Sequence, residues 1–107
     1  MPSHPIVTPL SEHVQLVVAL TQLNSDHLRG ESRLAGAEIE LAGALADSRA
    51  SGENDTPERA RHIAQLRERF DEAQRALRAT EAQRTRLEEA LNALNAITLA
   101  ARDRNPR

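Results

Sequence analysis

The stretch IAQLRERFDEAQRALRATEAQRTRLEEALNAL, residues 63–94, decides how this chain folds. Within it Ile63, Leu66, Phe70, Ala73, Leu77, Thr80, Arg84, Leu87, Leu91 and Leu94 recur at alternating spacings of three and four, and the series runs on to Thr98 and Ala101. That spacing follows one stripe of an α-helix through successive heptads, interrupted by polar residues only at Thr80, Arg84 and Thr98. A stripe of this length needs a second helix to cover it.

The upstream half supplies one. Leu16, Leu20, Leu23, His27, Gly30, Leu34, Ala37, Leu41 and Ala44 carry the same three-and-four spacing. Between the two series, Ser51-Gly52-Glu53-Asn54-Asp55 collects turn formers. Thr56-Pro57-Glu58 then reads as a helix start, with Thr as N-cap, Pro at the first helical position and an acid facing the helix dipole. Thr8-Pro9 repeats that signature, with Ser11 as an alternative cap one turn later. The expected organisation is an extended N-terminal tail (1–8), a first helix over about 9–49, a loop over 50–56, a second helix over about 57–103 and a short C-terminal tail (104–107) beginning near Asn105-Pro106. Asn24-Ser25-Asp26, with Gly30 after it, offers a second N-cap, so a first helix broken there is the alternative.

Folding one series back on the other across Gly52 predicts an all-α protein, two long helices forming an antiparallel coiled-coil hairpin. Two copies of such a hairpin can combine into a four-helix bundle. Residues whose numbers sum to 107 then face each other: Ala44 and Ile63, Leu41 and Leu66, Ala37 and Phe70, Leu34 and Ala73, Gly30 and Leu77, Leu20 and Leu87, Leu16 and Leu91. Small residues repeatedly meet large ones, which fills space without voids. Midway, His27 faces Thr80 and Leu23 faces Arg84, with Asp26 and Glu81 near enough to pair with the Arg. A polar layer of this kind weakens a seam but penalises slipped registers, and the competing reading is a hinge or partner contact.

Composition limits the chemistry. The chain has one Phe, one Met and no Cys, Trp or Tyr, and every basic residue is Arg. Disulfides, thiolate nucleophiles, Cys-ligated metals, a P-loop lysine and Schiff-base chemistry are therefore absent. His4, His13, His27 and His62 share no helical spacing, and Glu58 with His62 forms ExxxH, not a metal-binding ExxH or HExxH, so a surface ion pair is expected there. No catalytic, cofactor or metal residues are assigned, and a two-helix hairpin is expected to offer no concave pocket. A net charge of −2 disfavours nucleic acid and anionic membranes. The cluster Arg59, Arg61, Arg67 and Arg69 is interleaved with acids and lacks an aromatic for stacking on bases. No apolar run approaches a membrane span or a signal peptide, so a cytoplasmic location is expected. Arg usage without Lys fits a GC-rich genome of a bacterium or phage.

Function is sought instead on the surface. Near the open end, Val14, Val17 and Val18 widen the apolar surface of the first helix, and Ala93, Ala96, Ile97, Leu99 and Ala100 widen that of the second. Apolar residues beyond one stripe suggest burial against a partner. The expectation is a non-enzymatic structural or assembly protein that self-associates, or docks into a larger complex, through this end. The alternative is an adaptor or chaperone-like module that holds a partner's amphipathic helix along the flank marked by Leu34-Ala35-Gly36-Ala37 and Leu41-Ala42-Gly43-Ala44. In outline the chain resembles the small secreted WXG-type helical hairpins and the prefoldin-like subunits. It lacks the Trp-x-Gly loop and Tyr-containing export motif of the first and the β-hairpin segments of the second, so no family is assigned.

Overall fold

The structure, a computed structural model, describes residues 9–52 and 56–104. The expected tail 1–8, loop residues 53–55 and the last residues 105–107 lie outside the described residues. The chain forms two helices, α1 (Pro9–Ser51) and α2 (Pro57–Arg104), packed on each other as an all-α hairpin.

Local chemistry sets the helix ends. Thr56 caps α2: its Oγ1 accepts a hydrogen bond from the Arg59 backbone N–H at 3.2 Å, and its carbonyl accepts one from Ala60 N–H at 3.0 Å. Glu58 stands in the first turn, beside the positive end of the helix dipole. α1 runs two residues beyond the expected Arg49. Gly52 then ends it with φ +57°, a left-handed conformation natural to glycine. The Ser51 hydroxyl donates to the Asp47 carbonyl at 2.9 Å, and the Arg59 guanidinium donates to Ser51 Oγ, tying the two helix ends across the turn. The alternative of a broken first helix is not adopted: α1 is continuous through Asn24–Gly30.

The hairpin divides into two compact units. The loop-side unit comprises Asp26–Glu81, and the terminal unit comprises the described residues of Met1–Ser25 and Ala82–Arg107. In the loop-side unit a Cβ added to Gly30 would stand 3.1 Å from Leu77 Cδ1, and Glu40 pairs with Arg69 at 3.8 Å. With Ser51 bonded to Arg59, these pairings run in opposite directions along the two helices, so the hairpin is antiparallel. The Gly30–Leu77 approach lies on the sum of 107.

Burial follows the two stripes. Leu66 and Ala73 are buried, and His27, Gly30, Leu34, Ala37, Leu41, Ala44, Ile63, Phe70, Leu77 and Thr80 are half-buried. The half-buried Ser48 and Arg59 continue the same sum beside the turn. In the terminal unit Leu23 is buried, and Leu16, Leu20, Arg84, Leu87, Leu91 and Leu94 are half-buried. His13, which the leucine spacing does not include in the seam, is half-buried too, at the position that Leu94 requires. Thr98 and Ala101, counted as seam by their spacing, are exposed. Their counterparts on the sum of 107 would be positions 9 and 6, the second of which lies outside the described residues.

The polar layer draws on its own helices. Thr80 Oγ1 donates to the Ala76 carbonyl at 3.1 Å, His27 Nδ1 lies 2.8 Å from Glu31, and Arg84 lies 3.6 Å from Glu88, with Asp26 3.8 Å from Arg29. Among the described residues no buried side-chain nitrogen or oxygen lacks a partner. These groups enter the seam without the penalty of an unmade hydrogen bond.

Two sets of substitutions check this arrangement by chemical denaturation. Leu66 is 3% exposed, so Leu66→Ala should cost about 3 kcal/mol. Phe70 keeps part of its ring in solvent, so Phe70→Ala should cost about 2 kcal/mol, below the 3–5 of a fully buried Phe. Gly43 has nothing within 4 Å of an added Cβ, so Gly43→Ala should stabilise by about 1 kcal/mol. Gly30→Ala should yield less than that, because Leu77 must first give way.

Candidate docking surface

Helices this thinly covered leave much apolar surface in solvent. Among the described residues the large apolar side chains left exposed are Leu10, Val14, Val17, Val18, Leu28, Ile39, Ile97 and Leu99. All but Leu28 and Ile39 belong to the terminal unit. The buried large side chains, by contrast, are Leu23 and Leu66. The distribution is lopsided, and it singles out the terminal unit.

There Val14, Val17 and Val18 are 52%, 41% and 63% exposed, and Ile97 and Leu99 are 65% and 59%. Ala93, Ala96 and Ala100 are exposed as well. Leu10, at 73%, joins them in the first turn of α1, a position that the heptad spacing did not flag. Leu16, Ala19, Ala90, Ala93, Leu94 and Ile97 line an open groove between α1 and α2, edged by Glu12 and Gln15. The expectation of a surface without concavity is corrected here, since two helices meeting along one stripe leave a furrow on the flank of that stripe. Of the expected partner residues, Ala93 and Ile97 line this furrow, and the others lie exposed elsewhere in the same unit.

The lining indicates what the surface does chemically. One carboxylate and one amide at the edge leave a floor of methyl and branched butyl groups, which bury apolar side chains and orient little else. Among the described residues no group of three or more His, Asp or Glu side chains is placed to hold a metal ion. No described helix is long and apolar enough to cross a membrane.

The Arg-rich start of α2 is largely engaged within the hairpin. Arg59 is bonded to Ser51, Arg61 lies 3.7 Å from Glu58 and donates to the Pro57 carbonyl at 3.4 Å, and Arg69 pairs with Glu40. Glu58, expected to reach His62, thus has Arg61 one turn away as its ion-pair partner. A second groove, in the loop-side unit, is lined by Arg33, Gly36, Ala37, Glu40, Arg69, Glu72, Ala73 and Ala76. Its small-residue floor lies under a rim of mixed charge.

Comparison with known proteins finds no matching family model, no matching curated protein and no matching solved structure.

Proposed function

We propose that this chain is a non-enzymatic structural or assembly protein of the cytoplasm. Its terminal unit is the docking surface by which the hairpin joins a second copy or a larger complex. The observation that carries this reading is the concentration of exposed Val, Leu and Ile side chains in that unit, beside a groove with an apolar floor.

Magnitudes favour a second copy as the first partner to test. Full burial of a Val, Leu or Ile side chain is worth about 1.5–3 kcal/mol. One partner meets only part of the exposed set, because Ile97 and Leu99, two residues apart, point about 200° from each other, and that part supplies on the order of 4 kcal/mol. Association costs about 4–15 kcal/mol in lost freedom, so one such patch on a polar partner gains little. Two patches facing each other roughly double the gain, enough to offset the lower part of that range.

A second reading, the adaptor that holds a partner's amphipathic helix, is favoured by the loop-side groove. Gly36 and Ala37 form part of its floor, and an added Cβ at Gly36 would meet nothing within 4 Å.

Light scattering with refractive-index detection separates the two, since the chain has no Trp or Tyr to absorb. The wild-type chain should be heavier than its 11.8 kDa monomer. Combining Val18→Glu with Ile97→Glu should return it to monomer mass at unchanged helix content, since both side chains are exposed in the hairpin. A chain that stays monomeric throughout and gains helix content only with an added amphipathic peptide would instead support the adaptor.

A further inference from the structure

We propose that the terminal units of neighbouring copies join by a heterologous contact, in which an apolar ridge on one flank of each hairpin seats in the groove on the opposite flank of the next copy. The proposal rests on the self-association reading above and adds which surfaces meet.

One residue along an α-helix turns the side chain by about 100°, so residues just before and just after a seam position lie on opposite flanks. Gln15 and Ala19 on α1, with Ala90, Ala93 and Ile97 on α2, each precede a seam position by one, and all of them line the groove. Val14 and Val17 follow His13 and Leu16 by one, and Leu99 follows Thr98, which keeps the seam spacing. These three therefore share the other flank, and Leu10, one heptad before Val17, extends it. All four are exposed. One flank is a ridge of branched side chains, and the other is a trough floored largely by Ala19, Ala90 and Ala93.

Both flanks need cover. Residues 13–25 of α1 contain no Asp, Glu or Arg, so this stretch has no charged face to keep toward water. A two-fold contact joins a surface to itself. Trough on trough would set two concave surfaces together and leave the ridge bare, and ridge on ridge would leave the trough empty. Ridge in trough, repeated from copy to copy, covers both flanks and sets convex against concave. Such a contact runs on until it closes into a ring or extends as a filament, and it does not stop at two chains.

Charge accommodates a second copy and sets its direction. Glu12 and Arg86 precede seam positions and belong to the trough flank, whereas Glu88 and Arg102 follow seam positions and belong to the ridge flank. Arg86 and Glu88 stand at the inner end of the unit, Glu12 and Arg102 at the open end. Copies laid side by side in the same direction bring Glu88 to Arg86 and leave Arg102 between Glu12 and Arg104, one charge of each sign. Reversed, Glu88 would come to Glu12 and Arg102 to Arg86, two like-charge contacts. Glu89 and Asp103 lie two residues beyond seam positions, off both flanks, and Arg84 lies in the seam itself.

The test uses the full chain in sedimentation with interference optics. At rising concentration the wild type should pass the dimer and reach a trimer or larger species of the 11.8 kDa chain. A ridge variant, Leu10→Glu with Val14→Glu, and a trough variant, Ala93→Glu with Ile97→Glu, should each be monomeric at unchanged helix content, since all four side chains are exposed in the hairpin. Mixed in equal amounts they should pair one to one and double the mass, because one ridge and one trough remain intact. Milder changes check the same contact in a chain with no natural Cys: oxidising a mixture of Val14→Cys and Ala93→Cys chains should give the mixed disulfide in severalfold excess over either homodimer. A wild type that stops at dimer, a single variant that still dimerises, variants that stay monomeric when mixed, or homodimeric disulfides in excess would each overturn the heterologous contact while leaving self-association standing. A wild type that is monomeric throughout would overturn both.

Discussion

Everything in this fold depends on covering one leucine stripe with another. Neither helix has enough apolar surface to be stable alone in water, and most helical stability in proteins comes from such burial rather than from propensity. Leu77 reaches the bare backbone at Gly30, with the Glu40–Arg69 pair further toward the turn. Together with the Arg59–Ser51 tie, these interactions hold the loop-side unit in one register. A slip of one residue would rotate the whole stripe off its counterpart.

A two-helix hairpin also has a limit that no choice of sequence removes. Each helix is covered along one stripe and bathed in water elsewhere, so a seam residue is rarely sealed on every side. Leu23, Leu66 and Ala73 fall below a tenth exposed, and no side chain is wholly buried among the described residues. The apolar residues beyond the seam therefore bear on function. Most of the large ones gather in the terminal unit, the surface on which the proposed docking rests. The scarcity of bulky side chains suits the hairpin, because close helix pairing favours Leu and Ala over bulk.

Much of the candidate surface was legible beforehand because it rests on type and spacing alone. Val14, Val17, Val18, Ile97 and Leu99 stand off the seam by count, and off-seam positions of a two-helix protein are open to solvent. Leu10 escaped notice because it sits in the first turn of α1, before the leucine series begins. His13 escaped because the first-helix series was begun at Leu16, although its spacing from Leu16 and its sum with Leu94 both assign it there. Thr98 and Ala101 erred the other way: their spacing fits the seam, but both are exposed.

By itself the sequence determined the two helices, the turn at Gly52 and the pairing of the stripes, because all three follow from local rules of periodicity, capping and turn chemistry. Only the tertiary structure decided that α1 runs unbroken through Asn24–Gly30. It also decided that Thr80, His27 and Arg84 find partners on their own helices, and that Gly30 is closely approached whereas Gly36 and Gly43 stand open. The physical reason is distance. Periodicity gives the direction in which a side chain points, but whether anything lies within reach depends on how closely the second helix approaches.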